Sequence, residues 1–311
     1  MRILVTGGAG FIGSHLVDAL VARGDAVVVY DNLAQGRAEN LAAVQGRVVV
    51  RDGSVVDLDL LERTVREHHA DKIAHVAAIA SRDVLDPSLI ISVNIQGTVN
   101  VLEAARRCEV RRCVLLSSDE VYGEFQYEPA DEDHPLVPQQ PYGISKLCGE
   151  RFAEYYHEFH GVDVISIRTA RVYGPRFLGE RVPKNLIQNA LQGKPTRMPK
   201  GGDDKADYTY VRDAVRGILL ALDAEKPRHR VYNITGGKAY TTTQVGEIIQ
   251  EMFPAAEVNI GPGPVEVDGV PLPRKGTLAI ARARDDLGYT AEYDIRKGLA
   301  EYVRHLRCNP A

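Results

Sequence analysis

Apolar and polar positions along the chain fall into two alternating patterns. The first is a short apolar run with no polar alternation. Ile3-Leu4-Val5, Ala26-Val27-Val28-Val29-Tyr30, Arg47-Val48-Val49-Val50, Lys72-Ile73-Ala74-His75-Val76-Ala77, Cys113-Val114-Leu115-Leu116-Ser117-Ser118 and Val164-Ile165-Ser166-Ile167 follow it. Such runs predict strands buried on both faces, as in a parallel sheet. The second pattern repeats apolar residues at helical spacing and fills the gaps, over 14–21, 58–68, 94–107 and 142–160. In the third of these, Val99, Leu102 and Ala105 share one face. Strict strand–helix alternation predicts a parallel sheet with helices on both sides, a Rossmann-type doubly wound α/β domain over residues 1–171. Beyond 172 the pattern changes, and Pro and Gly become frequent, as in Gly174-Pro175, Gly201-Gly202 and Gly261-Pro262-Gly263-Pro264. Helices are still predicted over 183–192, 211–222 and 243–252. Residues 172–311 are expected to form mainly a smaller C-terminal substrate-binding lobe, with some segments returning to the first domain.

Composition narrows this picture only a little. The 311 residues suffice for one large α/β domain or a domain with a lobe. Net charge of −4 gives no basis for nucleic-acid binding, and no Lys/Arg run marks a membrane surface. No apolar run approaches the ~20 residues that span a bilayer. A core strand at the very start leaves no room for a cleaved signal segment, so a cytoplasmic protein is expected. Cys108, Cys113, Cys148 and Cys308 lack metal-ligand spacing and are expected to be reduced, mostly packing thiols.

Between the first strand and first helix lies Thr6-Gly7-Gly8-Ala9-Gly10-Phe11-Ile12-Gly13. In a turn of this kind Gly7 permits the bend, Gly10 lets phosphates approach the backbone, and Gly13 lets helix and strand pack closely. Free N–H groups at the helix start attract a pyrophosphate. Asp31 ends the second strand, where a carboxylate accepts both ribose hydroxyls of an adenosine and repels a 2′-phosphate. The expected cofactor is therefore NAD, although Arg37 offers a charge that would tolerate NADP. Asp52 and Ser54 are expected to border the adenine.

Tyr142-Gly143-Ile144-Ser145-Lys146 opens the helix after the fifth strand, and positions i and i+4 share a helix face. A lysine there lowers the phenol pKa and reaches the nicotinamide ribose. The phenolate then takes a hydroxyl proton as hydride leaves the same carbon. Ser118, at the end of the preceding strand, can hold the reacting oxygen beside the tyrosine.

With these motifs in this order the chain resembles the extended short-chain dehydrogenase/reductases, the NAD-dependent epimerase/dehydratase group that acts mainly on nucleotide sugars. The resemblance rests on the glycine turn, Asp31-Asn32-Leu33, His75-Val76-Ala77-Ala78, Asn94-Ile95-Gln96-Gly97-Thr98, residues 142–146 and Val172-Tyr173-Gly174-Pro175. It implies that Ser118, Tyr142 and Lys146 are catalytic. It implies that Gly7, Gly10, Phe11, Ile12, Gly13, Asp31, Asn32, Ala77, Ala78, Tyr142 and Lys146 meet the cofactor, and that Asn94 supports the active-site helices. A homodimer acting on a small sugar substrate, most simply a nucleotide sugar, is expected. Asp119-Glu120 precede Val-Tyr-Gly as in the dTDP-glucose 4,6-dehydratases, where position implies an acid and a base for loss of water across C5–C6. Two adjacent carboxyls can have their pKa values pushed apart, which suits that division. The plainer alternative makes Asp119 a turn cap and Glu120 structural.

Some positions depart from the family pattern. Arg171 stands where the family usually has Asn, and Ala206 where it usually has Arg, with Lys205 just before it. Arg171, Arg82, Lys205 and Arg274 are the expected substrate contacts, and Arg82 with Asp83 is expected in a loop near the nicotinamide or in solvent. Dehydration is favoured over C4 epimerisation. A net dehydrogenase of a free sugar or sugar acid, and an inactive NAD-sensing protein, stay open as alternatives.

Overall fold

The computed structural model describes residues 1–80, 86–267 and 270–308. The first half runs β1 (Arg2–Thr6), α1 (Phe11–Arg23), β2 (Ala26–Asp31), β3 (Val49–Asp52), α2 (Leu58–Glu67), β4 (Lys72–His75), α3 (Pro87–Ile90), α4 (Gly97–Arg107), β5 (Arg112–Ser118), α5 (Pro141–His160) and β6 (Val164–Thr169). The second half runs α6 (Lys184–Leu191), β7 (Thr196–Met198), β8 (Lys205–Asp207), α7 (Val211–Asp223), β9 (Val231–Asn233), β10 (Ala239–Thr241), α8 (Thr242–Met252), β11 (Val258–Ile260), α9 (Ala281–Leu287) and α10 (Ile295–Cys308).

Seven strands form one parallel sheet in the order β3-β2-β1-β4-β5-β6-β9. Chain direction across the sheet reverses between β1 and β4, so a crevice opens at their carboxyl ends. Strand side chains alternate between faces. Ile3 and Val5 of β1 pack with Leu16, Val17 and Leu20 of α1 and Ile218, Ala221 and Leu222 of α7. Leu4 points the other way, into a second core with Leu61 and Val65 of α2, Val101 and Leu102 of α4, and Ala153 of α5. The apolar runs of β1, β2, β4, β5 and β6 are continuous because helices cover both faces; β3, expected to be buried, is instead an edge strand with Val49 and Val50 exposed.

Three segments beyond residue 172 return to this body, among them α9, whose Ala283 and Leu287 join the first core. β9 pairs with β6, and α7 packs against α1. The remaining lobe has its own core, in which Leu186 and Ile187 of α6 meet Val245, Ile248 and Ile249 of α8 and Leu299, Tyr302 and Val303 of α10. Short pairs β10–β8 and β11–β7 belong to it, and Glu266–Val267 pairs with Val270–Pro271.

Boundaries shift in three informative places. β3 lies two residues later than the apolar run, and β6 extends through Arg168 to Thr169. The helix expected from 94 begins earlier, at Pro87, and passes through a π-helical turn at Ile91–Gln96. Such turns often sit at functional sites. Here the turn carries Asn94, whose Oδ1 accepts from Ile79 N–H (2.7 Å) and whose Nδ2 donates to Ser145 Oγ on α5 (3.0 Å). Helices α9 and α10 are absent from the expected elements.

Candidate active site

The glycine turn is a cradle with no room for side chains. Gly7 has φ +69, and a Cβ there would lie 2.7 Å from the backbone N of Ala77. A Cβ on Gly13 would lie 2.0 Å from the Gly7 carbonyl oxygen. Gly10 caps α1 with no side-chain hydrogen bond, leaving the first-turn N–H groups to a ligand. Asp31 is buried at the end of β2; its Oδ2 accepts from Ala9 N–H (2.9 Å) and its Oδ1 from Leu33 N–H (2.8 Å). These two bonds fix the carboxylate beside the cradle.

A groove of about 1050 Å³ runs over this turn. Gly7, Gly10, Phe11, Ile12, Gly13, Asp31, Asn32, Ala77, Ala78, Tyr142 and Lys146 all line it, as do Arg37 and Ser54. A second cleft of about 1070 Å³ adjoins it and is lined by Ser118, Asp119, Glu120, Tyr142, Arg171, Lys205 and Arg274. Tyr142 and Arg171 border both. Arg82 lies outside the described residues.

Tyr142 and Lys146 are carried on the first turns of α5, with Pro141 at its start. Burial is the largest influence pushing the Tyr142 hydroxyl above its ordinary pKa; Glu120 and Asp119 add to it, and a hydrogen bond with Ser118 opposes them. The expected lowering of this phenol is therefore not produced by the surrounding side chains. Lys146 Nζ lies 5.7 Å from the tyrosine ring centroid and donates to the Leu116 carbonyl (2.7 Å). Burial lowers Lys146 to about 8, and Glu150 one turn later raises it. Glu150 is itself held by Ser117 Oγ (2.5 Å) and Arg168 Nη2 (2.7 Å).

Ser118 ends β5 and caps a short 3-10 turn, Asp119–Tyr122, with its Oγ accepting from Glu120 N–H (3.2 Å). The cap is thus Ser118 rather than Asp119. Ser118 Oγ donates to Asp119 Oδ1 (3.2 Å). Burial pushes the Asp119 carboxyl above its usual range; Lys275 pulls it down, Glu120 pushes it up and Arg171 pulls it down. Lys275 Nζ lies 3.4 Å from Glu120 Oε2.

The three described cations expected at the substrate differ in setting. Lys205 pairs with Glu128 (3.3 Å), and Arg274, 82% exposed, pairs with Glu124 (2.7 Å). Arg171 occupies a left-handed backbone position at φ 35, strained for a non-glycine residue. Sequence reading missed Lys275, Glu150 and the packing role of Gly143. A Cβ on Gly143 would lie 2.5 Å from the Glu120 carbonyl oxygen, so this glycine lets α5 press against the carboxyl-bearing turn.

A Rossmann sheet with a dinucleotide cradle and a Ser–Tyr–Lys set at its switch point defines a short-chain dehydrogenase-type enzyme. The NAD dependent epimerase/dehydratase family model matches residues 3–235, and the chain belongs to that family. Its cofactor is NAD, which the cradle and Asp31 fit. The chain is 34% identical to a dTDP-glucose 4,6-dehydratase of Actinoplanes sp., covering 99% of this chain and 98% of that one. It superposes on UDP-glucose 4-epimerase from Thermotoga maritima, solved with UDP-glucose, with a TM-score of 0.91 at 33% identity over 100% of both chains. A dTDP-glucose 4,6-dehydratase from Streptomyces venezuelae, solved with NAD, gives a TM-score of 0.87 at 33% identity over 99% of this chain and 98% of that one.

Proposed function

We propose that this enzyme dehydrates a nucleoside-diphosphate hexose to the 4-keto-6-deoxy sugar. The observation that carries the reading is the Asp119-Glu120 pair, at the end of β5 beside Ser118 and Tyr142, with burial favouring a protonated Asp119. Bound NAD supplies the hydride acceptor for C4 and the hydride donor for C6. Ser118 and Tyr142 hold the C4 hydroxyl, and Tyr142 takes its proton. The C4 ketone acidifies the C5 proton, which Glu120 removes. Asp119 gives its proton to the C6 hydroxyl, which departs as water. Reprotonation at C5 completes a sequence with no net redox change. Gly7, Gly10 and Gly13 would cradle the NAD pyrophosphate, and Asp31 would hold the adenosine ribose. Arg171, Lys205 and Arg274 supply cationic contacts for the substrate diphosphate.

The test is product mass with dTDP-glucose and UDP-glucose. Loss of one water, with one solvent deuterium retained at C5 in heavy water, is the expected result. Unchanged mass with inverted C4 makes the enzyme an epimerase. NADH accumulating from a free sugar or sugar acid, with both nucleotide sugars inert, makes it a net dehydrogenase. No turnover of any of these fits an NAD-sensing protein.

The working unit in this reading is a homodimer built on α5. Ile144, Phe152, Tyr155 and Phe159 form an exposed apolar stripe along that helix, and Phe159 is 70% exposed. Sedimentation at micromolar concentration is expected to give twice the 34.2 kDa chain mass, and a monomer there would contradict the stripe's role.

A further inference from the structure

Lys275 is buried against the catalytic turn, yet none of the steps above uses it. It lies on a strap, residues 274–279, laid along residues 125–130. Phe125 N–H donates to Arg274 O (2.9 Å), Ala130 N–H to Thr277 O (2.9 Å), and Ala279 N–H to Ala130 O (2.8 Å). The strap brings Lys275 Nζ to the Asp119 carbonyl oxygen, to which it donates (3.0 Å), and to within 3.4 Å of Glu120 Oε2. The side chain is 9% exposed, with Nζ 5.4 Å from the Phe125 ring centroid.

We propose that Lys275 is a positioning residue that holds Glu120 as the carboxylate base and anchors the turn that aims both carboxyls, while the burial of Asp119 keeps the proton there. The proposal rests on the dehydration reading. Two carboxyls in one site cannot both ionise freely; burial favours the proton on Asp119, and a counter-charge against Glu120 favours ionisation there. Lys275 meets Glu120 through its carboxylate but grips Asp119 through its main-chain oxygen. Its charge draws both carboxyls toward ionisation but meets a carboxylate oxygen directly at Glu120, while its hydrogen bond anchors the turn that aims both side chains. Among the described residues, the other charged or titratable groups acting around the pair include Tyr142 from α5, Arg171 beyond β6 and Asp207 of β8. Lys275 and Arg171 both pull Asp119 toward ionisation, Lys275 more strongly, and burial outweighs them.

The experiment compares wild-type holoenzyme with Lys275→Met and Lys275→Arg, using dTDP-glucose and UDP-glucose. NAD content and melting temperature establish that each variant is folded and loaded. Water loss and deuterium entry at C5 are followed across the pH range. Removing an opposite charge this close to a carboxylate raises its pKa by about 1–3 units, so the acid limb of elimination moves alkaline by that amount in Lys275→Met. Lys275→Arg is expected to restore the wild-type limb. Lys275→Gln keeps a donor for Asp119 O without the charge, and carries the same test if the Met variant does not fold. A folded, NAD-loaded neutral variant with the wild-type limb overturns the assignment of Lys275 while leaving dehydration intact. A wild-type enzyme that removes no water from either nucleotide sugar overturns the dehydration reading, and this role with it.

Discussion

Tyr142 has to exchange a proton where its surroundings resist the exchange. Burial and the neighbouring carboxyls hold its hydroxyl protonated, and the bond with Ser118 and the charge of Arg181 offset them only in part. The residue is thus a poised acid, ready to be relieved of its proton only when a favourable charge is near. Lys146 is the candidate for that charge, and with a pKa of about 8 it is mostly ammonium at neutral pH. Tyr142→Phe is expected to fold and bind NAD but to lose turnover by about 10²-fold or more, as for a lost general acid–base group. Near-wild-type turnover, measured on whichever nucleotide sugar the parent accepts, would remove Tyr142 from the chemistry. Residues such as Tyr142, Lys146, Asp31 and the glycines were legible because their causes are local. A helix turn sets the four-residue spacing, and a strand end sets the aspartate. Lys275 was not legible, because it meets Asp119 across 156 positions through a strap whose pairing no local pattern announces.

At the scale of elements, the site depends on how closely α5 approaches the turn that follows β5. Gly143 controls that distance, since a methyl group there would press on the Glu120 carbonyl group, with its oxygen at 2.5 Å and carbon at 3.0 Å. Gly143→Ala sets two effects against each other. Alanine favours a helix by about 0.5–1 kcal/mol over glycine. The backbone contact, in contrast, forces the first turn of α5 away and moves Tyr142 with it. A displacement of about 1 Å at a reacting group can cost roughly 10² in rate, so turnover is expected to fall far more than the melting temperature. A variant with unchanged kcat would show that the approach is slack. The main strands were readable because burial on both faces leaves an unbroken apolar run. The three-residue strands of the lobe were not, because only pairing defines them, as between Thr196 and Val258. Ile295, Leu299, Tyr302 and Val303 do carry the helical spacing of α10, but charged residues interrupt it, and its meaning depends on the α6–α8 surface it covers.

The whole molecule is joined at Asp207, which ties the lobe to the sheet and the strap. Its Oδ2 accepts from Thr235 Oγ1 just beyond β9 (3.0 Å) and from Leu278 N–H on the strap (3.1 Å). Burial pushes this carboxyl up to about 7. The unfolded value is about 3.9, so between these limits the folded state holds the extra proton. Stability from this group therefore falls as pH rises through that window. His75 works in the opposite direction. It is buried between Thr6 Oγ1 (2.7 Å) and Thr98 Oγ1 (3.0 Å), and burial lowers it to about 3. Its unfolded value is about 6.5, so its contribution is present above that pH and is lost as pH falls below it. The two slopes oppose each other across the mildly acidic range and flatten the stability of the wild-type protein. Asp207→Asn removes one of them. The variant is expected to melt higher than wild type above pH ~7, where ionised Asp207 is a cost, and to lose that advantage steadily as pH falls toward about 4. Its own melting temperature is expected to drop more steeply with acid, because the His75 slope is then unopposed. Melting curves of both proteins across this range decide the matter: a difference that does not change with pH would mean that Asp207 stays ionised in the fold, and that its contacts with Thr235 and Leu278 outweigh its burial.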